Sequence, residues 1–382
     1  MKMQETKLVD PHLLDPAQTG LEAQEFEARL RSKVVGQDDA IRQVVRVYQT
    51  FSLGMSIPGR PVGCFLFLGP TGTGKTRLVE AAAESAAGDA RSLIKIDCGE
   101  FQHSHEIAKL TGSPPGYLGH RDTHPLLSQE ALNRFHTQDL KLSFVLFDEI
   151  EKASDALWNL LLGILDKATL TLGDNRRVDF SNTMIFMTGN IGAAEMSKEL
   201  THRFGFAPTE FSPSRTRGIA VEAARRRFPP DFFNRIDKLV VFQTLGEKEL
   251  RDVLDLEVKT LSRRFANHTR FLLTLTEAVK GYLLREGTDV RYGARHLKRV
   301  VERSLVDPLC NLMATGQVRS CDEIRVDLDK EGQQMMFYRD KENVELPDIP
   351  AITSDAATEA APSGPITEPV STTPPIAAWC CF

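Results

Sequence analysis

The segment Gly69–Thr76, which reads GPTGTGKT, constrains this chain more than any other feature of its sequence. It fits the pattern G-x-x-x-x-G-K-[ST], follows the apolar run Cys64–Leu68 and precedes the helix-favouring stretch Arg77–Ala87. A strand, a glycine-rich turn and a helix in this order place backbone N–H groups and the positive end of a helix around phosphate oxygens. An incidental glycine-rich turn is the weaker alternative, because both flanks of the motif are correct. The segment therefore predicts a phosphate-binding loop.

The residue types of this loop predict how it holds a nucleotide. The expected binding residues are Gly69, Pro70, Thr71, Gly72, Thr73, Gly74, Lys75 and Thr76. Lys75 would bind the β- and γ-phosphates, and the Thr76 hydroxyl would ligate Mg²⁺. ATP and Mg²⁺ are therefore the expected cofactors.

A second motif, Phe144–Glu149, reads FVLFDE and complements the first. Its four apolar residues place Asp148 at the carboxyl end of a buried strand, where α/β sheets bind ligands. Asp148 would hold Mg²⁺ through water, and Glu149 would polarise the attacking water as general base. On its own, a strand that ends in Asp-Glu is usually explained as a helix N-cap. Together the two motifs predict a Mg²⁺-dependent ATPase that converts ATP and water to ADP and phosphate.

Composition excludes several other classes of protein. The chain has 382 residues, with 47 Lys or Arg against 52 Asp or Glu, and a net charge of −5. This balance disfavours a protein whose main function is electrostatic binding of nucleic acid. No apolar run approaches the ~20 residues that a membrane helix needs, and the N-terminal residues lack the apolar core of a signal peptide. The 6 cysteines have neither zinc-site nor Cys-x-x-Cys spacing. We therefore expect a cytoplasmic protein whose partners include neither nucleic acid nor membrane.

Short apolar runs separated by longer stretches continue from the phosphate-binding segment to Leu245. Each run is almost continuously apolar, which is typical of parallel strands covered by helices on both faces. Besides Cys64–Leu68, the runs are Leu93–Asp97, Phe144–Phe147, Met184–Met187 and Leu239–Phe242. The pattern predicts an α/β fold, with a parallel-sheet P-loop large domain and a smaller, mainly helical C-terminal domain.

Four parts are expected along the chain. Residues 1–30 form a polar N-terminal lead with a short helical stretch from Gly20 on, 31–245 the large α/β ATPase domain and 246–330 the small C-terminal domain. Residues 341–382 are rich in Pro, Ala, Thr and Ser. Such a segment cannot bury a core, so it is expected to be a disordered tail.

Further motifs accompany the two nucleotide motifs. They are VVGQDDAI (Val34–Ile41), GSPPGYLGH (Gly112–His120), LFDEIEKAS (Leu146–Ser154), VDFSNTMIFMTGNIG (Val178–Gly192), FFNRIDKLVVF (Phe232–Phe242) and RYGARHLKR (Arg291–Arg299). In order and spacing, from Val34 to Leu328, the chain resembles AAA+ ATPases of the Clp type, most closely the second ATPase module of ClpB, ClpA and ClpC. The resemblance implies a single-module protein of that family.

The resemblance implies roles for two residues beyond the nucleotide motifs. Asn190 resembles sensor 1, which senses the γ-phosphate and helps position water, and the alternative is a turn Asn with left-handed backbone. Arg235 resembles the arginine finger, which reaches the ATP of a neighbouring subunit. Its alternative is an exposed Arg paired with Asp231 or Asp237.

Other implied roles lie on the small domain, the adenine pocket and the pore. Arg295 resembles sensor 2, and the alternative is one more basic residue on a solvated helix face. Val34–Gln37, with Val35 among them, are implied to line the adenine pocket. Tyr117 resembles the pore-loop aromatic that grips a translocating polypeptide, and its alternative is a Tyr in a Pro-Gly turn. Leu172–Asp179 would be a second, hairpin-like pore element.

Two functions fit these residues. The first is an ATP-dependent protein unfoldase or remodelling ATPase, a homo-hexameric ring that threads a protein substrate through its pore, with an adaptor or protease as a further partner. Phe204–Phe206 lie where protease-docking members of the family carry an aliphatic-Gly-Phe tripeptide. The second is a nucleotide-dependent assembly switch or scaffold without threading. Tyr117 separates the two, because only threading needs an aromatic grip on a moving chain.

A DNA-handling protein is disfavoured. Arg225–Arg227 is only a short basic run, and it is expected to face a neighbouring subunit or water.

Overall fold

The structure is a computed structural model that describes residues 15, 18–113, 116, 125–193, 195–196, 213–266, 271–288 and 293–341. Three sequence-based expectations lie outside the described residues. They are the pore-loop role of Tyr117, the docking tripeptide Phe204–Phe206, and the disordered tail apart from Lys341.

Helices and strands alternate through the first part of the described chain and give way to a mainly helical part. The helices are α1 (Leu21–Arg31), α2 (Asp38–Ser52), α3 (Lys75–Ala87), α4 (Ala108–Thr111), α5 (Gln129–Asn133), α6 (Asp155–Lys167), α7 (Pro213–Arg227), α8 (Pro230–Phe233), α9 (Glu247–Ala266), α10 (Glu277–Gly287), α11 (Ala294–Val301) and α12 (Asp307–Ala314). The strands are β1 (Gly63–Leu68), β2 (Leu93–Asp97), β3 (Ser143–Asp148), β4 (Thr169–Thr171), β5 (Arg177–Asp179), β6 (Thr183–Gly189), β7 (Lys238–Val241), β8 (Leu272–Leu275), β9 (Glu323–Leu328) and β10 (Met335–Lys341). Among the described residues, we find no helix with the length and apolar character of a membrane span.

The central sheet has the strand order β2-β3-β6-β1-β7, and every neighbouring pair is parallel. Strands β1 and β6 are buried along their whole length, as continuous apolar sequence predicts for strands covered on both faces. The predicted α/β fold with a parallel sheet is therefore confirmed. Leu68 pairs with Gly189, and Phe147 pairs with Met187. This register brings the carboxyl ends of β1, β3 and β6 to one edge, so the residues that follow each strand lie side by side.

Each face of the sheet carries its own apolar core. On one face, α1, α2 and α3 pack over Phe65, whose ring stacks on Phe186 with centroids 4.9 Å apart. Phe26 of α1 stacks on Tyr48 of α2 at 4.2 Å, and Phe26 is fully buried. The residues predicted to form a polar lead thus end in a helix that contributes to this core. On the other face, α6 and the β4–β5 hairpin pack against the sheet through residues such as Trp158.

The C-terminal part of the described chain has a separate core. Helices α9 to α12 pack together with a three-stranded sheet of order β10-β9-β8. Strand β9 pairs parallel with β8 and antiparallel with β10. In β9, Ile324 and Val326 are buried and alternate with less buried residues. This part of the chain is therefore mainly helical, as expected, and it also contains a small sheet.

Candidate nucleotide site

Glycines at three positions shape the loop between β1 and α3. Gly69, Gly72 and Gly74 have φ values of 146°, 75° and 95°, which L side chains rarely adopt. A Cβ on Gly69 would lie 2.7 Å from the backbone oxygen of Phe242, so only glycine lets the loop pass the end of β7. Helix α3 begins at Lys75, and the first N–H groups of a helix have no partner within it. The loop therefore ends on an array of free donors at the positive end of a helix, which suits phosphate.

Lys75 lies at the centre of the site and is buried. Its Nζ donates to the backbone oxygens of Gly69 (2.7 Å) and Pro70 (2.8 Å) and to Oδ1 of Asn190 (2.9 Å). Burial lowers the pKa of Lys75 to about 8, while the charges of Glu151 and Asp148 raise it. A nearby anionic phosphate favours the charged ammonium in the same way, so the charged form of Lys75 is stabilised most when phosphate is bound.

Asp148 and Thr76 lie together at the predicted metal position. The Thr76 hydroxyl is 3.3 Å from each carboxylate oxygen of Asp148. The Thr188 hydroxyl also donates to this carboxylate, and Nζ of Lys95 lies 3.5 Å from it. A hydroxyl and a carboxylate are hard oxygen donors, and Mg²⁺ is usually held by one or two such groups with water and phosphate oxygens. The residues present therefore fit Mg²⁺ bound together with a nucleotide.

Glu149 has an uncommon backbone conformation. Its φ and ψ are 57° and 47°, in the left-handed region, and its N–H donates to the Thr188 hydroxyl at 3.1 Å. Such a conformation in a non-glycine residue costs of order 1–3 kcal/mol and is found mostly at functional sites. Its carboxylate forms an ion pair with Lys152 and lies 3.4 Å from the Asn190 amide nitrogen. The predicted general base is thus held next to the predicted sensor.

Asn190 links the two nucleotide motifs. Its amide oxygen accepts from Lys75, and its amide nitrogen reaches Glu149. The alternative reading, a turn Asn with left-handed backbone, does not apply, because Asn190 is not among the residues with positive φ. One side chain therefore joins the phosphate-binding lysine to the residue that would activate water.

Comparison with known proteins identifies the family. The model of the AAA domain (Cdc48 subfamily) matches residues 60–239, and that of the C-terminal, D2-small domain of ClpB protein matches residues 245–326. The chain is 37% identical to the ATP-dependent Clp protease ATP-binding subunit ClpC of Staphylococcus saprophyticus over 304 residues, or 80% of this chain and 36% of that protein. It is 39% identical to the chaperone protein ClpB of Streptomyces albus G, over 80% of this chain and 34% of that protein.

The chain belongs to the Clp-type AAA+ ATPases. It spans about a third of the length of the curated relatives that it matches. Its fold is similar to that of Hsp104 in a closed state with ATPγS and FITC casein, at a TM-score of 0.70 and 29% identity, over 83% of this chain and 52% of that one. The resemblance to the second ATPase module of Clp proteins is therefore confirmed.

In this Clp-type ATPase the helix that carries Arg295 begins on the phosphate-binding loop. The N–H of Ala294 donates to the backbone oxygen of Gly72 at 3.2 Å. Gly293 has a φ of 52°, and a Cβ there would lie 3.1 Å from the oxygen of Gly72 and 3.2 Å from that of Thr71. Arg295 is close enough for its charge to contribute to lowering the pKa of Lys75. The backbone contact brings the predicted sensor 2 residue to the nucleotide site.

Arg235 follows α8 and contacts α6. Its Nε is 2.6 Å from Oδ1 of Asp166, and a terminal nitrogen donates to the backbone oxygen of Asp231 at 2.6 Å. The Asp237 carboxylate instead accepts from the N–H of Cys64 and lies 3.9 Å from Arg60. The ion pair therefore involves neither of the carboxylates considered from sequence, and the arginine-finger role stays a prediction.

The VVGQ segment of this Clp-type ATPase contacts the phosphate-binding loop through Gln37. The Gln37 side chain is buried, and Nε2 donates to the backbone oxygens of Thr73 (3.1 Å) and Gln243 (3.0 Å). Gly36 has a φ of 72°, and a Cβ there would meet Glu249 of α9 at 2.9 Å. Val35 is half-buried, and its adenine contact stays a prediction.

Sequence reasoning missed Glu151 and Thr188. Glu151 accepts from the N–H of Asn190, and Thr188 contacts both Asp148 and Glu149. The signal for Thr188 was its position at the end of a strand that would neighbour β3. Glu151 had no local signal, because its contact depends on the turn that follows Glu149.

Two pore elements were expected, and one is described. Leu172–Asp179 contains the turn of the β4–β5 hairpin and its second strand, β5. The two strands are antiparallel, and Thr171 of β4 pairs with Arg177 of β5. In the turn, the N–H of Gly173 donates to the backbone oxygen of Thr111 at 2.8 Å. The hairpin therefore packs against the residues that lead into the segment of Tyr117.

Proposed function

We propose that the chain is a Mg²⁺-dependent ATPase that remodels or unfolds protein substrates by threading them through a homo-hexameric ring in the cytoplasm. One observation carries the proposal. The Asn190 side chain bridges Lys75 and Glu149, so the groups that would hold phosphate and activate water form one connected unit.

Each residue of the site would have a separate role in ATP hydrolysis. Glu149 would accept a proton from the attacking water, a role that contributes typically 10²–10⁴-fold in rate. Lys75 and the donors at the start of α3 would hold the phosphates, and Asn190 would orient the water. Thr76 and Asp148 would hold Mg²⁺, which neutralises charge on the phosphate oxygens when bound. Arg235 would act on the nucleotide of a neighbouring subunit.

Support for a protein substrate comes from relatives. ClpC is named as the ATP-binding subunit of a protease, ClpB as a chaperone, and Hsp104 was captured with casein. An adaptor or a protease as a further partner fits the same names. The alternative is a nucleotide-dependent switch or scaffold, which would hydrolyse ATP without moving a chain.

One experiment tests the proposal. Tagged fluorescent protein is mixed with Mg²⁺-ATP and wild type, Tyr117→Ala or Glu149→Gln, and fluorescence and ATP hydrolysis are followed together. We expect wild type to remove the fluorescence, Tyr117→Ala to hydrolyse ATP without unfolding, and Glu149→Gln to bind ATP but hydrolyse it at least about a hundredfold more slowly.

Controls make each outcome decisive. EDTA should stop hydrolysis, and Tyr338→Ala, at an exposed tyrosine on β10, should behave as wild type. Hydrolysis without unfolding by both wild type and Tyr117→Ala would favour the switch. Wild-type turnover by Glu149→Gln would refute the assignment of the base.

A further inference from the structure

A second carboxylate lies behind the proposed general base. The left-handed backbone of Glu149 starts a tight turn, Ile150–Lys152, which directs Glu151 back toward the carboxyl edge of the sheet. There Oε1 of Glu151 accepts a hydrogen bond from the N–H of Asn190 at 2.9 Å. The contact joins the segment after β3 to the segment after β6, which are 39 residues apart in sequence.

The other oxygen of this carboxylate is enclosed by the sheet. Oε2 of Glu151 is buried, and no hydrogen-bond partner for it is found among the described residues. A Cβ on Gly189 would lie 3.1 Å from this oxygen, so glycine at the end of β6 leaves room for it. Burying a carboxylate oxygen without a partner costs free energy, because the group would otherwise be hydrated. The hydrogen bond from the Asn190 N–H to Oε1 offsets part of this cost and holds the carboxylate in place.

The turn that carries Glu151 is held from two other helices. Nε1 of Trp158 in α6 donates to the backbone oxygen of Ile150 at 3.2 Å. Arg227 of α7 donates to the backbone oxygen of Glu151, and its guanidinium lies 4.7 Å from the Trp158 ring centroid. The turn is thus fixed by contacts that do not involve the nucleotide loop.

We propose that Glu151 is a positioning residue that sets the place of Asn190. Its carboxylate fixes the Asn190 backbone so that the amide side chain reaches Lys75 with its oxygen and Glu149 with its nitrogen at the same time. Without this anchor the turn after β6 would move, and the amide would lose one of its two contacts. The inference rests on the proposed ATPase function, and it assigns to Glu151 no direct contact with the reacting atoms.

A double-mutant cycle tests this role. Glu151→Met keeps the side-chain volume but removes the acceptor, and we expect it to lower kcat about tenfold to a hundredfold, the usual effect of losing an outer-shell partner. The KM for ATP should change by less than about threefold, since the phosphate-binding loop is intact. In an Asn190→Ala background the same change should have almost no further effect, because Glu151 acts through that side chain. Glu151→Gln, which retains an acceptor oxygen, should lose less than Glu151→Met.

Control measurements separate positioning from stability. Glu222→Ala, at an exposed glutamate of α7, should leave kcat and Tm unchanged. An equal loss from Glu151→Met with and without Asn190, or a loss explained by a lowered Tm, would overturn the proposal.

Hydrogen exchange tests the anchor in the wild type. It therefore requires neither ATP hydrolysis nor a variant that folds. In the wild type without nucleotide, the Asn190 amide hydrogen should exchange slowly, because Glu151 accepts it. Rapid exchange at Asn190 would refute the anchor even if hydrolysis is normal. A wild type that does not hydrolyse ATP but protects this amide would refute the proposed function and leave the anchor in place.

Discussion

At the scale of single residues, Gly293 determines how closely the C-terminal helices approach the phosphate-binding loop. Its φ of 52° is strained for an L residue, and a Cβ there would crowd the loop oxygens at 3.1 and 3.2 Å. Arg295 lies in the first turn of the same helix, so displacement at Gly293 also moves the predicted sensor 2 residue. A substitution of Gly293 that changes no charge is therefore expected to affect nucleotide binding.

We expect Gly293→Ala to weaken ATP binding about tenfold or more, since the added methyl both strains the backbone and separates α11 from Gly72. A fluorescent ATP analogue measures the Kd. Gly281→Ala is the matched control, because no atom lies within 4 Å of its would-be Cβ and the residue is inside helix α10. The control should bind as wild type and gain up to about 1 kcal/mol of stability. Wild-type affinity in Gly293→Ala would show that the helix does not need this approach.

The nucleotide site was largely predictable at this scale, and the reasons are local. Residues 69–76 directly follow one strand, and Asp148 and Glu149 lie at the end of another. Because the carboxyl ends of parallel strands meet at one edge of a sheet, this position alone places the residues together. The roles of Glu151 and Gly293 depend on contacts with segments far along the chain. Both residues lie within motifs of the family resemblance. Neither differs in type from an ordinary surface acid or a turn glycine, so the motifs alone assign them no role.

At the scale of elements, α1 is more than a polar lead. Its sequence is mostly charged or polar, but Ala23, Phe26 and Leu30 are buried against the α2–α3 face. These residues recur at helical spacing, yet so narrow an apolar stripe is easily missed beside the polar residues around it. Strand β10 was also missed, because most of its side chains are exposed and its sequence alternates weakly.

We expect Phe26→Ala to lower the free energy of unfolding by about 3–5 kcal/mol, since it removes a fully buried ring that stacks on Tyr48. Urea unfolding followed by circular dichroism measures the change. Leu21→Ala, in the same helix but 73% exposed, should shift the free energy by less than about 0.5 kcal/mol. Equal effects from the two substitutions would mean that α1 does not contribute to the core.

At the scale of the whole molecule, the described side-chain contacts of Arg235 are with Asp166 and Asp231. Its guanidinium forms an ion pair with Asp166 of α6, and none of its contacts among the described residues is with Lys75, Glu149 or Asn190. We expect this side chain to act on the nucleotide of a neighbouring subunit in a head-to-tail ring. The arrangement can be tested without knowing the substrate.

Mixing two inactive variants should restore hydrolysis. Arg235→Ala lacks the finger but keeps a complete site, whereas Glu149→Gln lacks the base but offers its finger. In randomly mixed rings at equal amounts, about a quarter of the sites combine a complete site with an intact finger. ATP hydrolysis by the mixture should therefore clearly exceed that of either variant alone. Mixed rings, verified by two affinity tags, that show no recovery would refute action between subunits.

The position of β6 between β1 and β3 has a consequence for how this protein is made. The strands that lead into the phosphate-binding loop and into Asp148 each pair with β6, and the sheet order keeps them apart. Both motifs are synthesised before residues 183–189, which form β6. A nascent chain at that stage carries the complete loop and both acidic residues but lacks the strand that joins them. The complete site, and with it any stabilisation of the fold by bound nucleotide, therefore requires β6 to pair with both strands.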